Sequence, residues 1–446
     1  MSRSSRSILK PSNRLLYLQV SDLWAAAKSQ PLSVWAIIIY FLFEYVRPQT
    51  IYPAIDFIPW AEGALAATII LYSLEGMKAR RLIGLDGLLG LFSLVLLLSS
   101  LTAVYPSASF AAFKVYVNWV LVYVFLTLIV DTRTKYLLFY IAFLLYSLKM
   151  SQHGTRTFIS RGFSFASWGA TGAPGWFQNS GEFAIQMCIF LPLSYYFARG
   201  VRHRVQKWKY WLLMIMPGTA LISLIASSSR GGQLGGACVI LFMILQSRHR
   251  VRGIVVAILV LAAMWQIMPV PQKERFNTMG SDKTSVSRLT YWRRGRDIAD
   301  DFPLLGIGYN NWMPYYTTHY GEGQLPHNIF IQAGAELGYS GLAAFFLMLV
   351  GTFVTNFKTR KLLSRIGDDD WAPLLRTMAF GLDAALVGFV ASGFFVTVLY
   401  YPFFWVNLAM TATLYLVVLR ELRRKQSRST RARSHVHEQQ RGMSTA

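Results

Sequence analysis

A histidine, an amide and a carboxylate stand close together at the start of a long hydrophobic segment. They are His327, Asn328 and Glu336. A titratable side chain at the edge of a membrane is costly unless it is used or paired, which makes it a functional hypothesis by default. A neutral imidazole can take the proton from a hydroxyl group that attacks another molecule. The pattern therefore predicts that His327 acts as a general base.

Polar side chains continue beyond the histidine at helical spacing. Asn328, Gln332 and Glu336 recur every four residues and would form one polar stripe on a helix, with His327 offset by one position. Such a stripe could line a substrate cavity beside the histidine. Either Asn328 or Glu336 could fix the tautomer of the imidazole by a hydrogen bond.

Several arginines in polar loops suit the recognition of an anion with many oxygens. Arg230 lies in a Ser-Ser-Ser-Arg-Gly-Gly turn, and Arg161 lies in a loop rich in glycine, serine and aromatic residues. Arg288, Trp292 and Arg296 share one face of a predicted amphipathic helix. Guanidinium groups form bidentate hydrogen bonds with phosphate oxygens. These residues therefore predict a site for the pyrophosphate of a membrane-bound lipid.

Each of these residues also has a purely structural interpretation. An isolated arginine at the edge of a span, such as Arg47, is commonly an anchor in the headgroup region. Arg293 and Arg294 suit a solvated helix face, and Glu336 is equally well explained as a hydrogen-bonding partner in helix packing. A lone histidine is also more often structural. It is the combination of residues around His327 that favours catalysis.

The composition indicates an all-α, polytopic integral membrane protein. The chain has 446 residues, of which 54% are hydrophobic and only 15% are charged, whereas soluble proteins carry about 25% charged residues. Cys188 and Cys238 both fall in apolar segments, so no disulfide framework and no cysteine-based metal site is predicted. No acidic cluster with metal-ligand spacing accompanies the arginines, and the sequence predicts no cofactor.

The hydrophobic segments predict about twelve transmembrane helices. At about 20 residues per span, they lie near 32–47, 58–75, 83–104, 109–130, 134–151, 180–198, 209–227, 231–247, 253–270, 334–356, 374–398 and 401–420. Lysine and arginine are concentrated in alternate loops, which the positive-inside rule assigns to the cytoplasm. Both termini are then cytoplasmic, and His327 lies on the opposite side of the membrane.

This topology divides the chain into five parts. They are a basic cytoplasmic segment, 1–31; transmembrane helices 1–9, 32–270; a large periplasmic loop with short helices, 271–325; transmembrane helices 10–12, 326–420; and a basic cytoplasmic tail, 421–446. The net charge of +23 lies mainly in short loops and in these tails, a distribution that argues against nucleic-acid binding. The tails are predicted to be disordered at an anionic leaflet, and Asp368-Asp369-Asp370 is predicted to be a solvated loop.

With these motifs in hand, the chain resembles the O-antigen ligase/O-antigen polymerase superfamily of bacterial inner-membrane glycan-transfer proteins. The shared motifs, in order, are Ser229-Arg230-Gly231; Arg288 and Trp292; Pro303-Leu304-x-Gly306-x-Gly308; His327-Asn328; and Glu336-x-Gly338-x-x-Gly341. They cover roughly residues 175–345. The segment Glu44-Tyr45-Val46-Arg47-Pro48-Gln49 also looks like the subgroup of O-glycosylation ligases associated with exosortase systems.

The resemblance implies transfer of a glycan from undecaprenyl pyrophosphate to an acceptor hydroxyl, without a metal. The acceptor in such proteins is the lipid A core of lipopolysaccharide, another glycan or a protein hydroxyl. Family members use a late periplasmic histidine and two arginines, which correspond here to His327, Arg230 and Arg288. Arg161 could take the place of either arginine. The residues do not distinguish a ligase from a polysaccharide polymerase, which share this chemistry and differ in the attacking hydroxyl.

Two other classes of protein remain as alternatives. A metal-dependent glycosyltransferase with many spans would use an acidic residue in the first outer loop, here Asp56 or Glu62. A flippase or transporter of lipid-linked glycans would need polar residues along the middle of its spans, where Asp383 is the clearest example. The resemblance and the motif around His327 favour the glycan ligase over both.

Overall fold

The computed structural model describes residues 11–163, 169–267, 273, 283–366 and 369–444. These residues form helices and no strand. The fifteen longer helices are α1 Val20–Lys28, α2 Leu32–Phe41, α3 Trp60–Leu74, α4 Gly84–Leu101, α5 Pro106–Ile129, α6 Arg133–Ser160, α7 Ser180–Val201, α8 Lys207–Ala226, α9 Arg230–Leu245, α10 Arg250–Ile267, α11 Lys283–Asp301, α12 Trp312–Tyr320, α13 Ile329–Arg365, α14 Ala372–Gly393 and α15 Pro402–Ser444. The all-α class is thereby confirmed.

Every predicted span overlaps a helix of the described residues, but fewer helices are long and apolar enough to cross a membrane alone. Among the described residues six meet that requirement, namely α4, α5, α8, α13, α14 and α15. A seventh appears if α1 and the helix Leu32–Ile51, which meet at 115°, are counted as one broken span. The chain is therefore a multi-pass membrane protein. The count of twelve spans stays a prediction.

Helices α7, α14 and α15 form the centre of the bundle. α7 packs against α8, α9 and α14, and α15 packs against α5, α13 and α14. Nearly every residue of α7 from Glu182 to Val201 is buried, including the aromatic side chains Phe183 and Phe190. A helix that is apolar on all sides is stable only when neighbours surround it. Packing on all sides thus fixes where the central helices end, and the loops at those ends carry the polar residues.

The loops predicted to be cytoplasmic meet at one end of the bundle and form a charged network. Asp369 contacts Arg133 at 2.8 Å and Lys425 at 3.4 Å, and Asp370 contacts Arg204 at 2.5 Å. The expectation of a solvated acidic loop is therefore wrong for these two aspartates. Basic residues from three parts of the chain converge there, and the two carboxylates supply their counter-charge. Asp368 lies outside the described residues.

The terminal segments are more ordered than the sequence predicts. Leu15 and Leu16 are 3% and 1% exposed, and the indole of Trp371 donates to Asn13 at 3.2 Å. These contacts fix the chain just before α1, because two leucines are buried in the bundle. α15 continues as far as Ser444. Disorder is therefore the wrong prediction for residues 11–28 and for the tail up to that residue.

A buried carboxylate within α14 is fully partnered. Asp383 is 3% exposed and forms an ion pair with Arg360 of α13 at 2.5 Å. The amide of Asn356 donates to the other carboxylate oxygen at 2.8 Å. The Arg360 guanidinium also lies over the Phe380 ring at 4.4 Å. Asp383 therefore joins α13 to α14, which is a structural role.

Replacing Arg360 by leucine should destabilise the protein by about 3–5 kcal/mol, because Asp383 then stays buried without its partner. The double variant Arg360→Leu/Asp383→Leu should recover most of the loss, since neither charge remains. Thermal unfolding of the purified protein in detergent measures both effects. Lys358→Leu, on an exposed position of the same helix, is the matched control. Equal stability of Arg360→Leu and the control would contradict the structural role of the pair.

Candidate active site

His327 is held by its backbone at the meeting point of three elements. Its φ is 50°, in the left-handed region, and its backbone N–H donates to the hydroxyl of Thr397 at 2.7 Å. The carbonyl of Pro326, directly before it, accepts a hydrogen bond from the indole of Trp292 at 2.9 Å. These bonds tie the histidine to α11 and to the segment after α14. The orientation of the residue is therefore fixed by its neighbours.

Asn328 begins α13 directly after the histidine. Its side-chain oxygen accepts from the backbone N–H groups of Phe330 at 2.8 Å and Ile331 at 3.2 Å. An asparagine in this position satisfies donors that the first turn of a helix leaves open. The side chain is 2% exposed. Asn328 is thus committed to the start of the helix, and it sets where the histidine leaves it.

α13 is broken at Gly338, nine residues after it begins. The φ and ψ angles of Gly338 are 67° and −174°, far from helical values. The break frees carbonyl groups that an intact helix would use. Ile307 and Gly308 donate to the carbonyls of Ala335 and Glu336, each at 3.0 Å, and Tyr339 donates to Pro303 at 2.7 Å. The Pro-Leu-x-Gly-x-Gly segment, Pro303–Gly308, is therefore hydrogen-bonded to the break in α13.

Two glycines allow this close approach. A Cβ atom on Gly338 would lie 2.6 Å from the carbonyl carbon and oxygen of Leu304, and one on Gly306 would lie 2.5 Å from the Glu336 oxygen. Both glycines also have positive φ angles, 67° and 66°, which side chains other than glycine rarely adopt. The two glycine motifs of the sequence thus belong to one structure, in which each accommodates the backbone of the other.

Glu336 connects the broken helix to its surroundings. It is 1% exposed and accepts hydrogen bonds from the backbone N–H of Trp312 at 3.1 Å and the hydroxyl of Tyr400 at 2.8 Å. The amide of Gln332 donates to it at 3.3 Å, and the hydroxyl of Ser99 donates to its backbone carbonyl at 2.9 Å. The predicted polar stripe is therefore a buried network that joins α4, α12 and α13.

The imidazole of His327 is half-buried and electrostatically disfavoured as a cation. Burial, followed by the positive charge of Arg288, lowers the pKa of His327 from 6.5 to about 4. The ring is therefore neutral at pH 7 and can accept a proton. Arg288 lies one turn before Trp292 on α11, the helix that binds the Pro326 carbonyl, and its charge acts on the imidazole. The catalytic roles of His327 and Arg288 stay predictions.

The turn that carries Arg230 lies at the same end of the bundle. Ser229 caps α9 by accepting from the N–H of Gly232 at 3.2 Å, and Arg230 is the half-buried first residue of that helix. A Cβ on Gly231 would come within 2.6 Å of the Cβ of Phe395. Phe395 stands two residues before Thr397, the partner of the His327 backbone. The turn therefore packs against the segment that also positions the histidine.

The remaining predicted site residues lie farther out. Trp292 is half-buried, and its ring contacts Phe394 with a centroid distance of 5.2 Å. Arg296 is exposed on the same helix, α11. Arg161 is exposed at the C-terminal end of α6, where its backbone N–H donates to Thr157 at 3.3 Å. Of the three, only Trp292 is tied to the His327 segment, through its bond to the Pro326 carbonyl; the site roles of Arg161 and Arg296 stay predictions.

The segment 394–401 is a part of the site that the sequence analysis missed. Thr397 binds the His327 backbone, and Tyr400 binds Glu336. The carbonyl of Tyr400 also accepts from the indole of Trp119 at 2.9 Å, which ties the segment to α5. Most of this uncharged stretch lies at the end of the predicted span 374–398, whereas the helix ends at Gly393. Its run of aromatic residues with one threonine was the available signal.

The acidic residues of the metal-dependent alternative lie apart from this network. Asp56 follows a short 3-10 turn, and Glu62 is in the first turn of α3; both side chains are exposed. Among the described residues no group of three or more histidine, cysteine, aspartate or glutamate side chains could hold a metal ion.

Comparison with known proteins agrees with the motifs. Residues 215–346 match the family model described as O-antigen ligase, and the match includes Arg230, Arg288, His327 and Glu336. A search of curated proteins finds no significant match. The resemblance to the O-antigen ligase superfamily is confirmed by this region. The assignment to the subgroup associated with exosortase systems stays a prediction.

Replacing Gly338 by alanine should displace Pro303–Gly308 and reduce the amount of folded protein. The positive φ of Gly338 and its close contact with Leu304 both oppose a side chain. The strain at such a position is about 1–3 kcal/mol, and the clash adds to it. Gly334→Ala, four residues earlier, is the matched control, since a Cβ there meets only ordinary contacts of 3.7 and 3.9 Å. Size-exclusion chromatography and thermal unfolding measure the difference. Equal yield and equal thermal stability of the two variants would contradict the packing of Pro303–Gly308 against the break at Gly338.

Proposed function

We propose that the protein transfers a glycan from undecaprenyl pyrophosphate to an acceptor hydroxyl at the predicted periplasmic side of a bacterial inner membrane. The observation that carries the proposal is a neutral, half-buried histidine on which the charge of Arg288 acts, within the region that matches the O-antigen ligase family. The acceptor oxygen forms a bond to the anomeric carbon of the donor glycan. The bond from that carbon to the pyrophosphate oxygen breaks, and the pyrophosphate leaves with the electron pair.

In this reaction His327 takes the proton of the acceptor hydroxyl. Its pKa of about 4 in the absence of donor results from burial and from the charge of Arg288. When the pyrophosphate binds Arg288, that charge is compensated and one cause of the low pKa is removed. Donor binding therefore makes the histidine a stronger base at the moment when it is needed. The donor lipid thus prepares the residue that activates the acceptor.

Arg230 and Arg288 would bind the pyrophosphate and stabilise the charge that develops as the glycosidic bond breaks. Arg230 stands at the N-terminus of α9, where backbone N–H groups and the helix dipole also favour an anion. The two residues come from different elements, and the segment 394–397 lies between them. Fixed positive side chains would then neutralise the leaving group without a metal. Displacement in one step inverts the anomeric centre.

The other predicted site residues take supporting roles in this account. Asn328, Gln332 and Glu336 are 2%, 4% and 1% exposed, so they would position the histidine through the backbone and not touch the glycan in this conformation. Trp292 holds Pro326 and thereby the histidine. Arg296 and Arg161, which are exposed, would contact the outer part of the donor or acceptor.

A polysaccharide polymerase is the closest alternative, since it uses the same donor chemistry. It differs in that the attacking hydroxyl belongs to a second lipid-linked glycan. A lipid-linked glycan flippase loses its main support, because Asp383 is paired with Arg360 and Asn356. The productive acceptor in an assay with purified protein distinguishes the ligase from the polymerase. Lipid A core, a protein hydroxyl and a second lipid-linked repeat unit are the three acceptors to compare.

His327→Gln should lower the transfer rate by about 10²–10⁴, because glutamine cannot accept the proton. Donor binding should remain, since the arginines are unchanged. Radiolabelled transfer and equilibrium binding of the lipid-linked donor measure the two properties separately. His319→Gln, an exposed histidine of α12, is the matched control. Transfer by His327→Gln at the rate of this control would rule out the general-base role.

The dependence of kcat/KM on pH should reflect the low pKa of the histidine. Activity should persist as the pH falls through 6.5 and decline only near pH 4, because the base is lost when the ring is protonated. Arg288→Gln removes one cause of the low pKa of His327, so the decline of kcat/KM at acidic pH should begin at a higher pH in this variant. Arg293→Gln, an exposed position on the same helix, should leave this decline in place. A wild-type decline at pH 6.5, unmoved in Arg288→Gln, would contradict this electrostatic pairing.

A further inference from the structure

A cavity lies at the end of the bundle opposite His327. Its volume is about 640 Å³, which is within the range of small-molecule sites. The C-terminal ends of α7, α9 and α13 and the N-terminal part of α14 form its walls. α7 begins beside Val396, near the candidate active site, and extends away from it for about 33 Å at 1.5 Å per residue. The cavity is therefore separate from the candidate active site.

Three arginines line this cavity from three different elements. They are Arg199 of α7, Arg248 after α9 and Arg376 of α14, and all three are exposed. Arg199 donates to the hydroxyl of Tyr195 at 3.1 Å. Within the described part of the chain none of the three guanidinium groups forms an ion pair. They thus present three positive charges to one cavity.

One carboxylate also lines the cavity, and its charge is already compensated. Asp369 contacts Arg133 at 2.8 Å and Lys425 at 3.4 Å. Its exposed fraction is 9%. Because Arg133 and Lys425 already pair with this carboxylate, it does not cancel the three arginines. The cavity keeps an excess of positive charge.

The rest of the lining is apolar or aromatic. Met243, Leu363 and Phe380 contribute to the walls, and the ring of Tyr196 stacks on Phe380 with a centroid distance of 6.1 Å. A free inorganic anion would need only the arginines. A molecule with a charged head and an apolar part would use both kinds of wall. The composition of the cavity therefore suits an amphiphile with an anionic head.

We propose that this cavity binds the phosphate-bearing headgroup of an anionic membrane phospholipid. Basic pockets between transmembrane helices, on the side where basic loops collect, bind anionic headgroups in this way. The arginines would bind phosphate oxygens, and the apolar wall would contact the glycerol and the first part of the acyl chains. The bound lipid would join α7, α9 and α14 at this end of the bundle.

The test uses the full-length protein in detergent, titrated with phosphatidylglycerol or with phosphatidylcholine and analysed by native mass spectrometry. The test variant is Arg199→Gln/Arg248→Gln/Arg376→Gln. The matched control is Lys358→Gln/Lys361→Gln/Arg365→Gln, which removes the same charge from exposed positions of α13 that do not line the cavity. A third arm adds inorganic phosphate at millimolar concentration to separate a lipid headgroup from a free anion.

Wild type should bind one phosphatidylglycerol molecule far more tightly than phosphatidylcholine. At about fivefold per basic residue, the test variant should lose roughly a hundredfold in this affinity, while the control keeps it. The single variants Arg248→Gln and Arg376→Gln should each lose a part, which protects the result if the triple variant folds poorly. Equal losses in both triple variants, no preference for phosphatidylglycerol, or its displacement by inorganic phosphate would each overturn the proposal.

Discussion

The candidate site depends on one constraint, which is that the backbone groups exposed by the break in α13 must find partners. The run from Pro303 to Gly308 supplies those partners through three backbone hydrogen bonds. The same contact fixes the loop before α12 and presents Trp312 to Glu336. One irregular position in a long helix thus organises a large part of the segment between α10 and α13.

The histidine inherits its position from this arrangement. The hydrogen bonds of Glu336 and the contact with Pro303–Gly308 fix the first part of α13. Asn328 caps the N-terminus of this helix directly after His327. Thr397 and Trp292 then hold the backbone on either side of the residue. Polar groups at this depth are expensive unless each is satisfied. The buried network therefore supports the half-exposed imidazole and leaves its ring available for chemistry.

Long apolar segments predicted the helices well, and the amphipathic helix predicted to carry Arg288, Trp292 and Arg296 is present as Lys283–Asp301. Motif order and residue type also singled out His327 and Arg288, and the charge of Arg288 acts on the imidazole. The break at Gly338 could not be predicted, since one glycine in an apolar run is compatible with an unbroken helix. Thr397 belongs to no repeating pattern of polar residues that could have marked it as part of the site. The error at Asp369 has a similar cause, because its partners come from distant loops and only the fold brings them together.

The most direct test of the account is the stereochemistry of transfer by the purified protein in the presence of a chelator. A donor glycan of known anomeric configuration on undecaprenyl pyrophosphate is supplied with hydroxyl acceptors, and the new linkage is assigned by NMR. Direct attack by a hydroxyl group that His327 deprotonates predicts transfer with inversion. Retention of configuration, or no transfer to any hydroxyl acceptor, would contradict the account.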